Sequence, residues 1–179
     1  MPRQARYAPA PSVFHVTNRG VERRRLFHKA ADYQAFLRLL VIGRKRFAVR
    51  VFGVCLMPNH FHLVIWIESH SALSAYLHWV QGCYACDLRS HTRTVGNGHV
   101  FQQRFWSDVI TDDFHFVNVM RYVERNPKES SLVKRAEAWR WSSLVVRGCA
   151  DSWLDPLPVP LPSNWLAIVN QPAEHEESF

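Results

Sequence analysis

The chain has 179 residues, with 22 Lys+Arg against 15 Asp+Glu, a net charge of +7 and a pI near 9.6. A composition that is 47% hydrophobic and 13% aromatic is that of a globular protein and excludes wholesale disorder. The longest apolar run, residues 63–67, is far too short to cross a bilayer, no apolar segment follows the basic N-terminus to make a secretory signal, and four cysteines without dense spacing are no disulfide framework. A soluble, cytoplasmic protein is expected.

Residues 1–50 hold 12 of the basic side chains against Glu22 and Asp32, a balance of +10, while the remainder is slightly acidic. Ten of the twelve are arginine, whose planar guanidinium suits phosphate. Two readings stay open, a solvated basic face or a surface for a polyanion, nucleic acid first.

In chain order, residues 13–17 form a short β-rich run closed by the turn signal Asn18-Arg19-Gly20. From Asp32, an N-cap residue type, Tyr33, Phe36, Leu37, Leu40 and Phe47 fall near helical spacing. Val49–Met57 and His60–Ile67 read as strands separated only by Pro58-Asn59, an antiparallel hairpin. Ser71 caps a helix carrying Leu73, Tyr76, Leu77, Val80 and Tyr84 on one side. Gly96-Asn97-Gly98 breaks the chain, and residues 105–111 form a further strand. Asp112 caps a helix that Pro127 stops, and Trp139-Arg140-Trp141-Ser142-Ser143-Leu144 suggests a last short helix. This order predicts an α+β fold, a ferredoxin-like antiparallel sheet with helices packed on one face. The alternating prolines of residues 156–162 favour extended chain, so residues 1–148 read as the folded unit and 149–179 as a Pro-rich, acidic arm that Trp165, Leu166 and Val169 dock.

The chemistry concentrates in two places. On a strand, residues two apart share a face, so His60 and His62 project together while Phe61 points the other way. Such a pair is either half of a divalent metal site or two hydrogen-bonded core histidines. On the helix after Asp112, Phe116, Val119, Met120 and Val123 form the core stripe, with His115, Asn118, Tyr122 and Asn126 as a polar stripe along its edge. Tyr122 and Asn126 are neighbours at i, i+4. Tyr122 is either an amphipathic core residue or a nucleophile, since a phenol becomes reactive beside a cation that polarises a phosphate. Cys83 and Cys86, a single CxxC inside a helix, read as packing residues rather than zinc ligands.

Met57-Pro58-Asn59-His60-Phe61-His62-Leu63-Val64 resembles the signature of the HUH single-tyrosine transposases. The likeness extends over residues 12–147. Phe14-His15-Val16-Thr17-Asn18-Arg19-Gly20 resembles the family's first strand and turn, and Phe101-Gln102-Gln103-Arg104-Phe105 its central element. Arg121-Tyr122-Val123-Glu124-Arg125-Asn126-Pro127 resembles its nucleophile helix and Trp139-Arg140-Trp141-Ser142-Ser143-Leu144 its closing motif. The Thr-Asn-Arg-Gly and Trp-Ser-Ser elements favour the branch of REP-associated tyrosine transposases. The resemblance implies an HUH endonuclease fold and ATP-independent cleavage and strand transfer of single-stranded DNA beside a hairpin. It implies Tyr122 as the attacking group that leaves a 5′-phosphotyrosine, and His60, His62 and Asn126 as ligands of Mg²⁺ or Mn²⁺. Arg19, Arg23, Arg24 and Arg25, with Arg44, Lys45, Arg46 and Arg104, are the candidate phosphate contacts. Tyr7, Phe27, Phe105 and Trp106 are either stacking platforms for unpaired bases or core. A non-cleaving hairpin-DNA-binding protein is the alternative function, and the sequence leaves monomer or homodimer open.

Overall fold

The structure is a computed structural model that describes residues 10–94, 96 and 98–172. Tyr7 and the acidic stretch 174–179 lie outside the described residues.

Four strands, β1 (Ser12–Arg19), β2 (Val49–Met57), β3 (His60–Ile67) and β4 (Trp106–Ile110), form one sheet in the order β2-β3-β1-β4, every neighbouring pair antiparallel. Helix α1 (Ala30–Arg46) joins β1 to β2 and α2 (His70–Thr92) joins β3 to β4, which completes the ferredoxin-like α+β pattern. After β4 come α3 (Asp113–Glu129), α4 (Ser143–Val146) and α5 (Trp165–Asn170).

The two faces of the sheet are covered differently from the expectation that all helices share one. Phe61, Leu63, Ile65 and Ile67 of β3 face α1 and α2, packed with Phe36, Leu40, Tyr76 and Leu77. Val64 faces the other way, with Phe52, Cys55 and Met57 of β2, beneath Phe116, Val119, Met120 and Val123 of α3. The reason is in β3 itself: it is apolar on both faces, so each must be removed from water. The helices α1 and α2 close one side, and the other is left for α3. At Gly53 a Cβ would come within 2.8 Å of Met120 Sδ, so the glycine lets α3 approach the sheet closely.

Helix ends depart slightly from the expected ones. Lys29 rather than Asp32 precedes α1, and the Asp32 carboxylate reaches back to accept from the backbone N–H groups of His28 and Lys29, at 2.8 and 3.1 Å. Ser69 rather than Ser71 caps α2, while Asp112 caps α3 by accepting from His115 N–H at 2.8 Å. Pro127 does not stop α3, which runs on to Glu129. Tertiary contact carries that last turn: Pro127 is buried, and Lys128 Nζ donates to Asn170 O at 2.6 Å.

The chain from residue 149 to 172 is laid against the body of the protein. Leu157, Val159, Leu161, Trp165 and Val169 pack on the α3 side, while Leu166 stays exposed. Glu124 of α3, wholly buried, accepts hydrogen bonds from Ser143 Oγ, Arg147 Nη1 and Trp165 Nε1 at 2.6, 2.8 and 2.7 Å, which fixes α3, α4 and α5 to one another. Among the described residues no helix is long and apolar enough to cross a membrane.

Candidate active site

Strand β3 is central, paired with β1 on one side and β2 on the other. Its alternation buries Phe61 against Phe36, ring centroids 5.0 Å apart, and turns His60 and His62 to the α3 side with their rings 5.0 Å apart. His62 is 4% exposed. Its Nδ1 lies 3.0 Å from Nε2 of His15 on β1, whereas its Nε2 is buried without a hydrogen-bond partner among the described residues. His60 Nδ1 lies 2.8 Å from Asn59 Oδ1. Burial pushes His62 well below the usual histidine range, with His15 and His60 adding to the shift. Burial also lowers His60, against a raising hydrogen bond to Asn126. His15 is pushed down to about 4 by burial, which outweighs the raising influence of Asp108. All three imidazoles are therefore neutral at pH 7, the form that can ligate a metal.

The apolar stripe of α3 sets where its polar edge falls. With Val119, Met120 and Val123 on the sheet, Tyr122 hangs over the histidines, its ring centroid 5.4 Å from that of His62 and 5.8 Å from that of His15. Asn126, one turn further on and nearly buried, hydrogen-bonds through its side chain to both His60 and Tyr122. Burial raises the Tyr122 phenol above its ordinary value, the Glu129 carboxylate adds to this, and the Asn126 bond works against both. The phenol thus holds its proton at neutral pH until something stabilises the phenolate. His115, on the same helix edge, pairs instead with Thr111 at 3.3 Å.

His60, His62 and Tyr122 line an open cleft of about 610 Å³ whose rim carries Arg19, Arg23, Arg104 and Trp106. The rim is built by the Asn18-Arg19-Gly20 turn. Asn18 Nδ2 donates to Gln103 O and Gln81 Oε1, at 3.0 and 2.6 Å, and Arg19 Nε donates to Gln102 Oε1, which ties the 101–104 segment to the end of β1. A Cβ at Gly20 would stand 2.2 Å from Arg24 O, so only glycine lets the chain fold back there. Glu22 and Arg23 then take left-handed backbone angles, φ 52° and 57°, a strained turn that sets Arg23 at the cleft.

Only part of the predicted basic set is gathered here. Arg24 pairs with Glu22 at 2.5 Å on the exposed surface, and Arg25 does not line the cleft. Arg44, Lys45 and Arg46 sit in the last turn of α1, beside the Val49/Ile67 end of the sheet and so opposite to His60. Arg44 is engaged by Asp155 at 2.6 Å, and Arg46 lies over the rings of Phe47 and Trp79. Of the aromatic candidates, Phe27 and Phe105 are core, while Trp106 is 44% exposed on the cleft with its ring edge-on to His15 at 5.7 Å. No spacing in the sequence marks Asn18, Asn59 and Gln102, which line the cleft, or His15, which pairs with His62. The alternation of β1 was the available signal: Phe14 and Val16 face the core, which sends His15 and Thr17 to the face that carries His62.

Residues 12–126 match the model of the transposase family described as IS200-like. The chain belongs to this family. The match begins with β1 and ends on Asn126, so it takes in His15, His60, His62, Tyr122 and Asn126. A REP-associated tyrosine transposase of Haemophilus influenzae is 23% identical over 99 residues, 51% of this chain and 56% of that protein, so the chain spans little more than half the length of this curated relative. A solved structure of a REP-associated tyrosine transposase bound to a REP hairpin superposes with a TM-score of 0.67 at 18% identity, covering 88% of this chain and 93% of that one. That likeness shows the shared fold.

The donor set fits a divalent cation. Among the described residues no three His, Cys, Asp or Glu side chains are grouped to hold a metal ion. His60, His62 and Asn126 still bring two imidazoles and an amide together, and His62 Nε2 is buried without a hydrogen-bond partner among the described residues.

Proposed function

We propose that this IS200-like transposase is a metal-dependent single-stranded DNA endonuclease and strand transferase acting beside hairpin DNA, with Tyr122 as the nucleophile. The observation that carries the reading is Tyr122 poised over the His60/His62 pair in a cleft rimmed by arginines. His60, His62 and Asn126 would hold Mg²⁺ or Mn²⁺. When bound, such a cation neutralises charge on the scissile phosphate and polarises it. Tyr122 Oη attacks phosphorus, its proton is lost, and the phosphorus–O3′ bond breaks; the departing oxygen takes up a proton as a free 3′-OH and the 5′-phosphate stays on the phenol. The covalent link keeps the bond energy, so a second 3′-OH can reverse the step without ATP. Asn126 aims the phenol through its hydrogen bond, and Arg19, Arg23 and Arg104 hold the backbone by charge and contribute no sequence information. Trp106, exposed at the rim, offers a face on which an unpaired base stacks. In this reading residues 1–148 carry the chemistry and the 149–172 segment holds α3 in place. The REP-associated relative and the hairpin-bound structure favour a palindromic repeat as the hairpin.

Tyr122→Phe is expected to abolish cleavage of a hairpin-bearing single-stranded oligonucleotide in Mg²⁺ or Mn²⁺, and to remove the covalent adduct, while leaving binding intact. Normal cleavage by that variant would remove Tyr122 from the role. Binding without any cleavage by the unmodified chain would favour the non-cleaving hairpin-DNA-binding alternative.

A further inference from the structure

We propose that His15 is a positioning residue for the cation site: it holds His62 in the tautomer with the proton on Nδ1, which leaves the Nε2 lone pair to the metal. The inference rests on the reading of His60 and His62 as ligands. Two neutral imidazoles 3.0 Å apart need one donor and one acceptor between Nδ1 of His62 and Nε2 of His15. If His15 donated, His62 would carry its proton on Nε2, which is buried and has no acceptor among the described residues. If His62 donates, that atom carries a lone pair, the form a cation binds, and the His15 proton sits on its own Nδ1.

His60 obeys the same logic through a different partner. Asn59 Nδ2 donates to Arg23 O at 3.3 Å, which fixes the amide so that its oxygen faces His60 Nδ1. That nitrogen must therefore donate, so the His60 ring too is oriented by a partner outside the proposed ligand set. Both ligands are thus set by a neighbour of their own, as outer partners of metal-binding histidines generally do. His15 is itself held firmly. It sits on β1 between β3 and β4, with the Trp106 ring edge-on at 5.7 Å and the Tyr122 ring at 5.8 Å.

The closing experiment has two arms. Long-range ¹H–¹⁵N correlation spectra of the metal-free full chain with ¹⁵N-labelled histidine should show His62 protonated at Nδ1, and protonation at Nε2 overturns the proposal. Mn²⁺ titration without DNA then compares His15→Leu, which keeps bulk but cannot accept, with His15→Gln, whose Oε1 can accept near the position of Nε2. The leucine variant should bind Mn²⁺ roughly 10–100-fold more weakly and the glutamine variant should recover most of the affinity. Equal affinity in the leucine and unmodified chains, or equal loss in both variants, overturns the role. An unmodified chain with the Nδ1 tautomer that takes up no Mn²⁺ overturns the cation site itself, and His15's role with it. The spectrum of the unmodified chain decides the tautomer even if His15→Leu fails to fold.

Discussion

Strand β3 shows two opposite uses of one piece of chain. Toward α1 and α2 it presents Phe61, Leu63, Ile65 and Ile67, all fully buried among apolar side chains. Toward α3 it presents His60 and His62 before reverting to Val64 and Trp66. The first face stabilises the fold. The second gives up apolar burial at one end so that polar atoms on a rigid strand line the cleft, and burying them is costly unless each finds a partner. The site is precise because the opposite face of the same strand is immobilised by packing.

The most severe way to break this comparison is to hollow out the stabilising face. Phe61→Ala removes a fully buried ring packed on Phe36 and should lower the unfolding free energy by about 3–5 kcal/mol, measured by urea denaturation. Tyr122→Phe, on the other face, removes one hydroxyl from a half-exposed ring and should change stability by about 1 kcal/mol or less. Similar losses for the two substitutions would show that the faces do not divide the work in this way.

Acid tests the chemical face more gently. In the unfolded chain His15 takes up a proton near its ordinary value of 6.5, whereas in the folded chain it resists down to about 4. Between those values the unfolded state binds more protons, so stability is complete above about pH 6.5 and falls as the pH drops toward 4. His15 alone accounts for about 3 kcal/mol of that loss, and the lowered His62 and His60 add to it in the same direction. Tryptophan-fluorescence denaturation across this range should show the decline, and the His15→Leu chain should show a shallower one.

Much of this division was legible in the residues, because period-2 and period-3.6 patterns are local. The order of elements, the shared face of His60 and His62 and the polar edge of α3 all follow from alternation and helical spacing. The placement of α3 on the far face was not legible, since β3 reads as apolar on both sides and sequence alone does not say which helix covers which. Pro127 misled for a related reason: its intrinsic cost is outweighed by packing and by the Lys128–Asn170 contact, both products of tertiary structure. The alternation of β1 gives the face of His15, but its partner is a diagonal neighbour 47 residues away. The basic N-terminal third shows the same limit from the other side. Charge is countable from sequence, but which arginines share a surface is decided by where the sheet places them.

That last distinction gives the smallest and most specific prediction. Arg23 and Arg104 rim the cleft, whereas Arg44 is neutralised by Asp155 and Arg46 is stacked on Trp79 at the opposite end of the sheet. All four contribute equally to the net charge, so a diffuse electrostatic attraction would treat them alike. A localised grip would not. For a hairpin-bearing single-stranded oligonucleotide, Arg23→Ala and Arg104→Ala should each reduce the magnitude of the log affinity against log salt slope by about 1, the signature of one lost phosphate contact. Arg44→Ala and Arg46→Ala should leave the slope unchanged. If all four moved it together, the strand would be held by the whole basic surface, and the strained turn that brings Arg23 to the cleft would have no part in binding.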